Sequence, residues 1–228
     1  MDRRTFLSAG LGAAALASAD AGPGQSANGR EVRIVGVACS PRQGKTTATA
    51  VNAALEAAKS VDSKVKVEFV DLGGLEISGS LGGAASAKAQ QPKDDFDLMV
   101  LPRLRDPLPD GLIIGSPSYF RTMSALCKAF LERLAVLRSP KLLLADKPVG
   151  VLAVGAYRNG GQELVIEQIQ AALLCHEVMV VGGKPGAHQG ATLWNAYKDD
   201  ITKDEFGIES AKKLGIRVAE AALHLAQG

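Results

Sequence analysis

The chain has 228 residues, 46% of them hydrophobic and 22% charged, which is length and apolar material for one domain with a sizeable core. Its formal net charge of +2, the lack of any Lys/Arg-rich run and an aromatic content of 4% exclude a nucleic-acid binder built on a basic face or on base-stacking platforms.

Asp2-Arg3-Arg4-Thr5-Phe6-Leu7 resembles a twin-arginine export signal, and the Ala/Gly/Leu segment from Leu7 closes on Ala17-Ser18-Ala19, a small-x-small cleavage pattern. The segment is too short and too rich in Ala and Gly to give a stable membrane span. Residues 1–30 therefore read as signal peptide and flexible lead-in, residues 31–228 as the domain, and the expected location is periplasmic or otherwise outside the cytoplasm.

From Glu31 onward apolar strands alternate with amphipathic helices, the pattern of a parallel sheet covered on both faces. Expected strands are Val32 to Ala38, Val65 to Val70, Gly111 to Gly115, Val149 to Val154 and Glu177 to Val181. Between them, helices are expected from about Lys45 to Lys59 and from Asp94 to Leu104. A third helix carries Leu126, Phe130, Leu134 and Leu137 on one stripe, and a fourth carries Val165, Ile169, Ala172 and Leu173. The last, about Gly207 to Ala226, carries Ala211, Leu214, Val218, Ala221 and Leu225. Five strands and five helices in this order suit an α/β, flavodoxin-like three-layer sandwich with strand order 2-1-3-4-5. A ligand then sits beyond the carboxyl ends of the first and third strands, where the loops after strands one, three and four converge.

The first of these loops, Cys39-Ser40-Pro41-Arg42-Gln43-Gly44-Lys45-Thr46-Thr47, reads as a phosphate-binding turn, since hydroxyls and backbone amides meet at a helix start. Two chemistries compete for it. Gly44-Lys45-Thr46 is the second half of a nucleotide P-loop, but Cys39 stands where the first glycine belongs, and Asp71 is the one tolerable magnesium ligand. The rival is a flavin mononucleotide phosphate held without metal by Ser40, Thr46 and Thr47.

The later loops carry a family resemblance. Gly115-Ser116-Pro117-Ser118-Tyr119-Phe120, followed by Met123-Ser124-Ala125 and Lys128-Ala129-Phe130, resembles the signature of the NADPH-dependent FMN reductase family. The run from Gly155 to Glu163 is similar to that family's third flavin loop, and Ser40-Pro41-Arg42 to its phosphate loop. The resemblance spans Glu31 to about Ala226 and lies nearest the branch that includes the iron–sulfur flavoproteins. It implies that Ser40, Arg42, Gln43, Gly44, Lys45, Thr46 and Thr47 surround the FMN phosphate. By the same resemblance Pro117, Ser118, Tyr119, Phe120, Arg121, Thr122 and Met123 border the ring and ribityl chain. Gly155, Tyr157, Arg158, Asn159, Gly160, Gly161 and Gln162 approach the ring's polar edge. Glycines there let backbone amides come close to a planar ligand, and Tyr119 or Phe120 can pack against it.

Two residues depart from the pattern. Cys39 replaces a usual Gly, and its side chain could narrow the phosphate loop; Arg121 replaces a small residue and either points to solvent or sets a positive charge near the flavin. Leu72 to Gln91 lacks the compact cysteine set of the iron–sulfur branch, so no cluster is expected, and its length suits a lid, an oligomer arm or a mobile loop. Cys39, Cys127 and Cys175 are dispersed, with Cys127 and Cys175 expected as small buried residues. His176, His188 and His224 show no metal spacing and are expected at the surface or at helix ends. Glu163 and Glu167 share a helix face without a partner carboxylate, so no protein acid–base residue is indicated.

The sequence thus points to an FMN-dependent oxidoreductase moving electrons from NAD(P)H or another reductant to a flavin, quinone or similar acceptor. The family resemblance implies a homodimer or homotetramer. The alternatives are an exported FMN electron carrier supplied by a membrane quinol or a partner redox protein, and a P-loop nucleotide enzyme.

Overall fold

The computed structural model describes residues 30–81, 93–195 and 198–227; the export motif and residues 82–91 of the long second loop lie outside them. Its first strand, β1 (Val32–Ala38), is apolar on both sides because helices cover both faces of the sheet. Val32, Ile34 and Ala38 enter one core while Val35, Val37 and the following Cys39 enter the other. β1 pairs in parallel with β2 (Val65–Asp71) on one side and β3 (Gly111–Pro117) on the other. Next to β3 comes β4 (Pro148–Gly155), completely buried. The strand order β2-β1-β3-β4-β5 agrees with expectation.

One expected strand comes out differently. The fifth, read as Glu177 to Val181, keeps only β5 (Met179–Val180), since Glu177 leaves the preceding helix with a left-handed φ of 56°. A sixth strand, β6 (Ala191–Trp194), then pairs with Leu152 to Gly155 beyond the point where β5 stops. The sheet is therefore six-stranded rather than five-stranded, with two short strands sharing the edge of β4.

On one face lie α1 (Thr46–Lys59) and the last helix, α5 (Glu205–Leu225), around a core that includes Val51, Leu55, Leu214 and Val218. Close packing here depends on missing side chains. A Cβ on Gly36 would fall 2.6 Å from Val51 and 2.7 Å from Leu55, and one on Gly115 would fall 2.6 Å from Val51. Ala222 rather than Ala221 completes the buried stripe of α5, and Leu225 is exposed.

The opposite face carries α2 (Leu101–Arg105), α3 (Ala125–Arg133) and α4 (Gln162–Leu174). The helix expected over Asp94 to Leu104 begins instead as a π-helical turn, Phe96–Val100. Pro102 explains the change: without an N–H it cannot bond back four residues, and the preceding turn widens. α3 passes into a short 3-10 turn, Leu134–Leu137, with Phe130, Leu134 and Leu137 buried as the stripe predicted. Arg133, 8% exposed, bonds Asp94 at 2.6 Å and Asp97 at 2.7 Å and lies 4.8 Å from the Phe96 ring centroid, tying the start of the π turn to α3. No described helix is long and apolar enough to cross a membrane.

Candidate functional site

The loop after β1 is held from behind. The Ser124 hydroxyl donates to the Cys39 carbonyl at 2.6 Å and accepts from the Cys127 amide at 3.0 Å, so one side chain caps α3 and fixes the loop stem. Cys39 does not narrow the loop, contrary to expectation, because its place in the strand alternation turns the side chain into the α2–α4 core. Burial, followed by the neighbouring Cys127 and Asp71, pushes its thiol well above the usual range, where it stays protonated. Asp71, at the end of β2, accepts from the Gly44 amide at 2.7 Å and from the Gly73 amide at 2.9 Å. Both carboxylate oxygens are thereby engaged by amides, which counts against a magnesium-binding role in a P-loop.

The front of the loop stays open. α1 starts at Lys45 with no side-chain cap and no acidic residue in its first turn. Its first amides, through Thr46, Thr47 and Ala48, have no intrahelical acceptor, while Ser40, Thr46 and Thr47 place buried hydroxyl-bearing side chains nearby. Lys45 adds a cation from an exposed position. This set of donors and charges fits a phosphate group. Gly44 adopts φ 65° in open space, so glycine serves the turn there rather than a close contact. Pro41 and Gln43 are exposed, with Gly73 packed against the Gln43 backbone.

The other two loops meet the first and each other. Ser118 donates its hydroxyl to the Gly160 carbonyl, joining the loop after β3 to the loop after β4. The first of these loops is a two-residue turn in which Tyr119 and Thr122 exchange backbone bonds of 2.9 and 3.0 Å. At its tip Phe120 (φ 51°) and Arg121 (φ 66°) both hold the left-handed conformation, an uncommon state for residues with side chains and one that tends to mark functional loops. Phe120 is fully exposed, Tyr119 and Tyr157 are exposed, and Met123 donates its amide to Gln168 Oε1 at 3.3 Å. Pro117 is buried as the last residue of β3.

In the loop after β4, Gly161 (φ 87°) lies where a Cβ would come within 2.7 Å of the Arg121 backbone. Gln162 is buried, with Nε2 donating to the Tyr157 carbonyl at 2.6 Å and the Leu193 carbonyl at 3.2 Å, over a Gly155 that has no room for a side chain. Gln162 thus fastens the loop to β6. Arg121, Arg158, Asn159, Gly161 and Gln162 line a cleft of about 240 Å³ together with Glu163, Leu164 and Thr192.

β6 brings residues that the sequence did not single out. The Arg158 guanidinium stacks 4.2 Å from the Trp194 ring centroid, and Trp194 Nε1 donates to the Ala156 carbonyl at 3.2 Å. Asp199 receives two bonds from Arg42, at 2.7 and 2.8 Å, and one from Asn195 Nδ2 at 3.0 Å. Arg42 also lies beside Tyr119, so it connects the loop after β1 both to the Tyr119 turn and to Asp199. The only sequence signal for this wall is the short alternation Ala191-Thr192-Leu193-Trp194. Away from the site, Cys175 is exposed rather than buried, while His176, at the end of helix α4, is 5% exposed.

Comparison with known proteins points to one family. Residues 32–192 match the family model described as NADPH-dependent FMN reductase. An iron–sulfur flavoprotein of Methanocaldococcus jannaschii is 36% identical over 192 residues, covering 83% of this chain and 96% of its own. One from Methanosarcina thermophila is 31% identical, covering 80% of this chain and 93% of its own. Among solved structures, RosB with 8-demethyl-8-formylriboflavin-5'-phosphate bound aligns with a TM-score of 0.62 at 18% identity, over 87% of this chain and 79% of its own. A flavone reductase aligns with a TM-score of 0.60 at 18% identity, over 84% of this chain and 63% of its own. Identities this low speak for the fold alone.

Proposed function

Because the chain belongs to the NADPH-dependent FMN reductase family, we propose that it is an FMN-dependent oxidoreductase passing electrons from NAD(P)H or another reductant to a flavin, quinone or similar small acceptor. The observation that carries the reading is the N-terminus of α1, uncapped, free of acidic residues and backed by buried Ser40, Thr46 and Thr47. Lys45 and these hydroxyls would hold the phosphate, the Tyr119–Met123 turn would border the ring, and Gly160 and Gly161 would let backbone approach its edge. Bound there, FMN supplies the redox chemistry; the chain positions it and sets which molecules reach it.

Lys45→Ala combined with Thr46→Ala tests the assignment. Loss of charge-assisted bonds worth about 1.5–3 kcal/mol each weakens FMN at least tenfold and leaves riboflavin nearly unchanged. Equal losses for the two ligands would remove the phosphate from this loop.

The relatives are named iron–sulfur flavoproteins, but we infer that this chain works without a cluster, since residues 72–91 contain no Cys and its three cysteines are scattered. Flavin bands alone, with no stoichiometric iron or acid-labile sulfide, are expected in the purified protein; about four irons per chain would refute the inference.

A second reading, an exported carrier fed by a membrane quinol or a partner redox protein, is favoured by the exposed Phe120 and Tyr157 at the loop tips. Steady-state turnover with small acceptors separates enzyme from carrier. The implied homodimer or homotetramer would bring a second copy to this same rim.

A further inference from the structure

We infer that Asp199, in the segment that follows β6, is a positioning residue for the flavin phosphate: Asn195 holds its carboxylate, and the carboxylate holds the Arg42 guanidinium at the loop after β1. The inference rests on the FMN reading above and deepens it, because it adds to the phosphate site a segment outside all three loops that the motifs mark.

Arg42 stands on an exposed loop, where a long side chain has many rotamers to lose before it can meet a ligand. Here that freedom is already spent. Nη1 donates to Asp199 Oδ1 at 2.7 Å and to Oδ2 at 2.8 Å, and Tyr119 lies beside the same guanidinium. The Arg42 amide donates to Ser40 Oγ at 3.2 Å, which fixes the backbone from which the side chain springs. Both bonds to the carboxylate come from one nitrogen, so Nη2 and Nε are not spent on Asp199. A guanidinium restrained in this way meets an oxyanion at lower entropic cost.

Asp199 is itself anchored to the sheet. Asn195 Nδ2 donates to Oδ1 at 3.0 Å, and the Asn195 amide donates at 2.8 Å to the carbonyl of Gly155, the last residue of β4. Lys198 (φ 49°) and Asp199 (φ 67°) both hold the left-handed backbone, a costly state for residues with a Cβ. The bonds from Arg42 and Asn195 keep the Asp199 carboxyl below the usual carboxylate range, with the charge of Lys45 adding to them, so the group is ionised at neutral pH and lies within the field of the loop after β1.

An acid beside a phosphate site can instead act as a competitor that takes the cation away. The bonding pattern counts against this. Among the described residues Asp199 accepts from Arg42 and Asn195 and from no backbone amide, so it does not fill the place of the anion at the start of α1. The one loop amide bonded to a carboxylate, that of Gly44, is taken by Asp71.

The affinities of the flavin-free, full-length chain for FMN and for riboflavin, read by quenching of flavin fluorescence, test the inference. Asp199→Asn should weaken FMN about three- to tenfold and change riboflavin less than about twofold. Asn195→Ala, acting through Asp199, should weaken FMN less, and Asp199→Glu, which keeps the charge, should retain part of the preference. Arg42→Gln should cost more than Asp199→Asn, and combining the two should cost no more than Arg42→Gln alone, since no arginine is then left to position. Both side chains of the pair are partly exposed, so the melting temperature should barely move in any of these variants.

Tighter FMN binding in Asp199→Asn overturns the inference, because the carboxylate then competes with the phosphate. Equal losses for FMN and riboflavin overturn it too, since the pair then only ties two segments together. So does an unchanged FMN affinity, or a double variant whose loss is the sum of the two single losses. The Lys45→Ala, Thr46→Ala variant separates this failure from that of the underlying reading. If it loses FMN selectively while Asp199→Asn does not, the phosphate site stands and Asp199 has no part in it. If the wild type shows no preference for FMN over riboflavin, the phosphate site and the role of Asp199 fall together.

Discussion

At the scale of single residues, His176 combines burial with an unmet hydrogen-bonding atom. It is 5% exposed, its Nδ1 has no partner among the described residues, and burial, then the charge of Arg138, lowers its pKa from the ordinary 6.5. The folded chain therefore takes up this proton less readily than the unfolded chain. Stability from this source is complete above about pH 6.5 and falls as the pH drops through that value, because the unfolded state then binds more protons. The melting temperature should decline between about pH 6.5 and 5, before the carboxylates titrate, and His176→Leu should flatten that decline. An unchanged profile in the variant would assign the decline elsewhere. Arg42 shows the same dependence on neighbours: the Asp199 bond holds its pKa above the ordinary value, although both side chains remain partly exposed.

At the scale of elements, α1 sets the position of the proposed phosphate site, and its depth is set by residues with no side chain. Gly36 and Gly115 let Val51 approach the sheet at distances that a Cβ would block. Gly36→Ala should cost about 1–3 kcal/mol by overpacking, because Val51 and Leu55 are both fixed in the core. Urea unfolding measures the loss, and FMN affinity should fall with it as α1 is pushed outward. A stability equal to wild type would show that the helix shifts freely. Gly215 on α5 plays a matching role, since a Cβ there would lie 1.9 Å from the Ala54 carbonyl oxygen of α1.

At the scale of the whole molecule, the sheet brings three distant loops to one rim, and side chains then lock them together. Ser124 to Cys39, Ser118 to Gly160 and Arg42 to Asp199 each join segments far apart in the chain. Export belongs to this scale as well. We propose that the twin-arginine motif carries the domain out of the cytoplasm; replacing Arg3 and Arg4 by Lys should leave the precursor uncleaved inside the cell. Processing of that double variant at the wild-type rate would argue for another route or for none.

Apolar strands alternating with amphipathic helices were sufficient to specify a parallel sheet covered on both faces, and the flavodoxin-like pattern they fit supplied the order of its first five strands. The strand-to-helix turn after β1 was legible as such, because hydroxyls, glycine and lysine crowd it, and the proposed phosphate site rests on that turn. Tertiary structure alone decided the rest. β6 has four residues and gains its partner only from the edge of β4, so Trp194 beneath Arg158 left only a four-residue alternation as a local signal, and Asn195 and Asp199 beside Arg42 left none. Cys175 was assigned to the wrong side because it caps a helix end, where periodicity stops and the next packing contact is set by a distant segment. Asp71 was visible as an acid after a strand, but a carboxylate becomes a brace for a neighbouring loop only once β2 is laid beside β1.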